Sequence, residues 1–143
     1  MAATIKQQIY QTLVTTTITL NSLTNNSYVT GSAAGADATA AEIWGDWVLT
    51  LGSLTPTGTP VVKLWLARAP DGTVYEDIPS PPAFDAFAGA FSLTTGAGVK
   101  VAVLRDRRLP PGLFRPVVQN VSGVTFAGSG NSLTFRPHSM QSV

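Results

Sequence analysis

The chain of 143 residues offers few side chains able to do chemistry: one histidine, no cysteine and eight carboxylates. His138, between Pro137 and Ser139 near the C-terminus, would have to anchor any Ser-His-Asp triad from a fraying tail. Zinc needs three or four His, Cys or carboxylate ligands, and a lone His without Cys gives no expectation of a metal. Glycoside hydrolysis asks only for two carboxylates, so Glu42, Asp46, Glu76, Asp77 and Asp85 are the acids to weigh. Adjacent on an expected strand, Glu76 and Asp77 point to opposite faces. Glu42 and Asp46, beside Trp44 and Trp47, form the better pair, although two tryptophans at a strand start are more simply core or interface residues. Asp71, Glu76 and Asp77 lack the spaced run of oxygen ligands that calcium requires. Gly96-Ala97-Gly98 precedes a strand where a phosphate cradle would open a helix, so no nucleotide site and no cofactor is expected. The inventory points away from an enzyme. It leaves Trp44, Trp47 and Trp65 as platforms on which a glycan could stack.

Only 12% of residues are charged, about half the usual share. With 44% hydrophobic residues, such a surface suits a protein packed against neighbours. Residues 1–95 carry three basic and seven acidic side chains, residues 96–143 six basic and one acidic. A split of this kind can steer copies together head to tail or onto a charged lattice. Arg105, Arg107 and Arg108 are its densest basic cluster and suit ion pairs with a neighbouring subunit. A net charge of +1 with one such cluster is a slender basis for nucleic acid, which is not an expected partner. No apolar run approaches the ~20 residues of a membrane span, and no basic region followed by an apolar one opens the chain. The expectation is a soluble protein made in a cytoplasm, without a membrane partner.

The elements that must position these residues read as strands. Residues 1–12 are expected to form an extended N-terminal arm, and Thr15 to Leu20 a strand with Thr16, Ile18 and Leu20 on one face. Tyr28 to Gly31 reads as a short edge strand, and Ser32 to Ala41 as a loop of small residues. Ile43 to Leu51 sets Ile43, Trp47, Leu49 and Leu51 against Trp44, Asp46, Val48 and Thr50, so Trp44 and Trp47 cannot share a face. Val61 to Arg68 sets Val62, Leu64 and Leu66 against Trp65 and Ala67. Pro70-Asp71-Gly72 is a turn that pairs Val61–Ala69 with Thr73–Ile78. Phe84, Phe87 and Phe91 have helix-like spacing, and Val99 to Leu104 is apolar enough for a central strand. Leu113 to Val121 carries Pro116, which belongs at an edge or a bulge. The turns Asn120–Gly123 and Gly128–Asn131 complete two hairpins ending in Leu133–Arg136, with residues 138–143 a flexible tail. Short strands between Gly- and Pro-rich loops give one all-β domain, an antiparallel β-sandwich of jelly-roll-like or Greek-key type with about eight strands.

Leu109-Pro110-Pro111-Gly112, then Asn120-Val121-Ser122-Gly123, then Ser129-Gly130-Asn131, then a strand with Phe135 and Arg136-Pro137 resembles the C-terminal part of small β-sandwich virion proteins of tailed bacteriophages. Leu64–Arg68 and Asp71–Asp77 extend the likeness over roughly residues 60 to 137. It implies a structural role in the particle and carries no catalytic residues. The function expected on this basis is a decoration or cement protein that binds the mature head and stabilises joints between capsid subunits by mass action. Its partners would be the major capsid protein and copies of itself, with no small-molecule substrate. Ile5, Lys6, Ile9 and Tyr10 of the arm, Ala34 and Asp37 of the small-residue loop, and Arg105, Arg107 and Arg108 are the expected contacts. The alternative is a tail or fibre module that binds a host surface glycan through Trp44, Trp47 and Trp65.

Overall fold

The computed structural model describes residues 6–35, 43–77 and 86–142, and within them ten strands form two antiparallel sheets with no α-helix. The first sheet holds β1 (Lys6–Tyr10), β2 (Val14–Thr15), β5 (Trp44–Leu54), β8 (Gly98–Arg108) and β10 (Ser132–Ser142). Its order is β1-β10-β5-β8, with β2 also on β10. The second holds β3 (Tyr28–Thr30), β4 (Ala34–Gly35), β6 (Val61–Arg68), β7 (Phe87–Ser92) and β9 (Leu113–Val121) in the order β3-β9-β6-β7, with β4 on β9. The chain is a β-sandwich.

Alternation decides what lies between the sheets. Trp47, Leu49 and Leu51 of β5 are wholly buried, whereas Trp44, Asp46, Val48 and Thr50 stand half-buried on the outer face. Trp47 stacks on Phe135 at 4.5 Å between ring centres and meets Phe114 at 6.2 Å. Val62, Leu64, Leu66, Phe91, Leu104 and Val118 belong to the same interior. Trp65 and Ala67, of opposite parity on β6, instead form a small cluster with Val117 and Ala86.

The two hairpins expected over residues 109–137 are not formed, because β9 and β10 lie in different sheets. The connection is organised by Asn120, whose buried amide donates to the carbonyls of Leu23 and Val124 at 2.8 Å each while its oxygen accepts from Ser122. Among the described strands, only β6 and β7 both follow one another and pair. Pro70-Asp71-Gly72 does turn the chain, with the Gly72 N–H on the Ala69 carbonyl. The described segment after it forms no strand: β7 and β9 flank β6 as far as Trp65, and beyond that the returning chain makes one backbone bond to β6, from the Glu76 N–H to the Arg68 carbonyl at 2.8 Å. Phe87 and Phe91, read at helical spacing, belong to strand β7, and Phe84 lies outside the described residues. Of the strand expected over Thr15 to Leu20 only Thr15 falls in a strand, β2, although Thr16 and Leu20 are buried and Thr17 and Thr19 exposed as the alternation requires. Pro116 sits in a central strand, not at an edge. It falls between the stretches of β9 paired with β3 and β4, opposite Gly31, whose N–H donates to the Pro116 carbonyl at 2.8 Å, so the ladder keeps one of the two bonds at this pair.

The described parts of both expected free ends join a sheet. Lys6–Tyr10 pairs with His138–Ser142, so the arm and the tail hold each other, and His138 and Ser139 are 2% exposed. β8, expected to be central, is an edge strand whose Val99, Val101 and Val103 face outward. Its inward Lys100 is buried, the amine donating to Thr94 Oγ1 and the Gly96 carbonyl, and an inward charge is one of the devices that discourage edge-to-edge aggregation.

Candidate functional site

One irregularity in β8 assembles the polar end of the molecule. Trp47 pairs with Leu104 and Gly45 with Arg107, so β8 carries one residue more than β5 across this stretch. The bulge is at Asp106, whose φ of 51° is left-handed. Regular alternation would send the residue after outward Arg105 into the sandwich. The bulge keeps Asp106 at the surface, where its N–H donates to Asp46 Oδ1 at 2.8 Å.

Asp106 thereby joins Asp46 and His138 on the outer face of the first sheet. His138 Nε2 lies 3.4 Å from Asp46 Oδ1 and 3.3 Å from Asp106 Oδ1. The Gln8 amide reaches the same ring, 3.0 Å from Nδ1 and 3.3 Å from Nε2, and the Tyr10 ring covers it at 5.0 Å. Tyr10 donates its hydroxyl to Asp46 Oδ2 at 3.3 Å and lies under the Arg136 guanidinium. Loss of water contact, then the Asp46 carboxylate, hold the Tyr10 hydroxyl above the usual tyrosine range, so it stays protonated as a donor.

Beside this cluster, where β5 and β7 begin and β6 and β8 end, lies an open groove of about 660 Å³. Trp44, Leu66, Phe87, Leu109, Pro110 and Pro111 give it apolar walls, and Arg68, Asp106, Arg107 and Arg108 give it polar groups. Trp44 is placed here by register: it lies opposite His138 on one side and Arg108 on the other. Arg68 is held by Glu76, whose Oε1 accepts from its N–H at 2.7 Å and its Nε at 3.4 Å.

The structure sorts the sequence candidates. Of the three tryptophans only Trp44 lines the groove; Trp47 is in the main core, and Trp65, 5% exposed, packs between Tyr28 and Phe87. Those two are therefore not sugar platforms. Arg107 and Arg108 reach the groove, and Arg105 is exposed on the same strand. Lys6 is exposed and Ile9 half-buried in β1, and Ala34 pairs with Phe114 and packs against the core, so it is a sheet residue and not a loop contact. Ile5, Asp37, Glu42 and Asp85 lie outside the described residues. His138, expected in a fraying tail, is buried. Sequence reasoning missed its meeting with Asp46 and Asp106, since positions so far apart have no spacing signature and Asp106 reads only as the odd acid among arginines.

No family model matches the chain, and no curated protein matches it. Among solved structures it is similar to the CBM36-1 domain of a multidomain xylanase from the hindgut metagenome of Trinervitermes trinervoides. Identity is 13% and the TM-score 0.47, over 96% of this chain and 100% of that one. It is also similar to a carbohydrate-binding module CBM36 in complex with calcium and xylotriose, at 14% identity and a TM-score of 0.44, over 97% of this chain and 99% of that one.

Proposed function

We propose that this β-sandwich is a non-catalytic binding module that holds a saccharide chain in the Trp44 groove. The observation that carries the reading is that Trp44 and Phe87 line an open groove together with Arg107, Arg108 and Asp106. A sugar ring presents an apolar C–H face to an aromatic plane and hydroxyls to donors and acceptors around it, and this lining supplies both. Cationic groups outnumber Asp106 in the lining, which favours glycans bearing carboxylate or sulfate groups. Asp46, one acid of the better hydrolase pair, already accepts the Asp106 N–H and the Tyr10 hydroxyl. The test is isothermal titration with a panel of neutral and acidic oligosaccharides. Binding of an acidic glycan that weakens with salt and is lost in Trp44→Ala supports the reading; no binding across the panel, or binding unchanged in that variant, overturns it.

A second reading has its own observation. Val99, Val101 and Val103 are 64%, 65% and 45% exposed on β8, and the cross-strand rows beside them continue as Val48 and Thr134, then Thr50 and Ser132. An uncharged Val and Thr face over three strands suits burial against another protein, and on a phage head it would be the cement surface. Co-sedimentation with mature and unexpanded phage heads tests it: saturable binding to mature heads that is lost in Val101→Lys supports it, and no binding to either form removes it.

A further inference from the structure

The structure assigns a divalent transition-metal site, of the zinc type, to Asp46, Asp106 and His138. Their ligand atoms, two carboxylate oxygens and one imidazole nitrogen, lie within 4.8 Å of one another on three neighbouring strands. Two carboxylates converge on one imidazole nitrogen, an arrangement that suits an ion better than a pair of hydrogen bonds. Charge-assisted N–H···O bonds close at about 2.7–2.9 Å, and Nε2 has one hydrogen at most, whereas both carboxylates stand 3.3 and 3.4 Å away. Ligands held at ~2.0–2.1 Å in a tetrahedral shell are ~3.3–3.4 Å from each other.

Burial adds an independent observation. The His138 side chain is 2% exposed, and its Nε2 faces the two carboxylates and, at 3.3 Å, the Gln8 amide instead of solvent. Around it stand the outer contacts that metal ligands commonly have: the Gln8 amide 3.0 Å from Nδ1, and the Tyr10 hydroxyl and Asp106 N–H on Asp46. Turned so that its oxygen faces Nδ1, the Gln8 amide would accept the Nδ1 proton and leave Nε2 free to bind. Asp106, with a side chain 68% exposed and lining the groove, gives solvent a path to the ion and leaves a fourth position for water. One imidazole among the donors favours zinc-type ions over calcium or magnesium, which take oxygen ligands. The ion would tie β5, β8 and β10 together. It would also neutralise two converging carboxylates. This site stands independently of the saccharide reading.

The test uses the full chain stripped with EDTA and titrated with ZnCl₂ by calorimetry and thermal melting, with CoCl₂ as a spectroscopic probe. The expected result is one saturable Zn²⁺ per chain, a raised melting temperature that equal Ca²⁺ does not reproduce, and visible Co²⁺ bands of a tetrahedral nitrogen-oxygen shell. Asp106→Asn and His138→Gln should each weaken Zn²⁺ binding at least about tenfold. Asp106 is exposed enough for its variant to fold, which keeps the test sound if His138→Gln does not. No saturable binding at millimolar Zn²⁺, or binding that survives Asp106→Asn, overturns the assignment.

Discussion

β8 is two strands in one. Its first half, to Leu104, alternates regularly: Val99, Val101 and Val103 outward, Lys100 and Leu104 inward. Its second half, around the bulge, is Arg105, Asp106, Arg107 and Arg108, all exposed, and its last three residues build the polar cluster and the groove. Both halves pair with the same strand β5, so backbone pairing does not distinguish them. One extra residue does. In the regular half the alternation leaves a bare apolar face; after the bulge a side chain bound for the interior is turned onto the surface, where Asp46 and His138 wait.

The comparison breaks most severely at the residue where the halves meet. Leu104 is 6% exposed and lies opposite Trp47, so Leu104→Ala should cost about 2–4 kcal/mol, read as a lowered urea midpoint, and should loosen both halves together. Trp44→Ala acts on the polar half alone. It should weaken glycan binding at least tenfold, which is about 1.4 kcal/mol, while head binding in co-sedimentation is unchanged. Val101→Lys is its mirror image: stability should move by less than about 0.5 kcal/mol and glycan affinity should hold, while any docking on the valine face is lost.

The smallest effect is expected away from both halves, at Asp71. Backbone N–H groups of Val74 and Thr73, at 2.7 and 2.9 Å, hold its carboxyl below the usual aspartate range. A depressed pKa contributes stability that is present above the unfolded value and is lost as pH falls through the folded one. Asp71→Asn should therefore flatten the acid side of the stability profile slightly, measured by urea melts from neutral to acid pH, and leave neutral-pH binding at both surfaces alone.

The fold class was legible in the chain because its strands carry their own alternation. The faces of β5 and β6 follow directly from Trp47-Leu49-Leu51 and Val62-Leu64-Leu66. What turn chemistry does not carry is which sheet the next strand joins. Pro70-Asp71-Gly72 reverses the chain whether or not a hairpin follows, and Asn120-Gly123 looks like a hairpin turn while Asn120 serves as a staple to residues 23 and 124. Edge position is hidden for the same reason. Val99–Leu104 has the apolarity of a central strand, and it takes the pairing to show that it has one neighbour among the described strands of its sheet. The site was half legible: Trp44 and the arginines were visible as candidates, but choosing Trp44 over Trp47 and Trp65 needed burial. Finding His138 beside Asp46 and Asp106 needed long-range register and a bulge, neither of which leaves a spacing pattern.

The most direct test of the groove reading is an NMR titration of the nitrogen-15-labelled protein with the tightest-binding acidic glycan, followed in the indole N–H region. Three tryptophans give three indole signals, two of them from residues packed in the two apolar clusters. The account predicts that the Trp44 signal, assigned by its loss in Trp44→Phe, shifts saturably while those of Trp47 and Trp65 stay in place. A titration in which the Trp44 signal does not move while the glycan binds would contradict it.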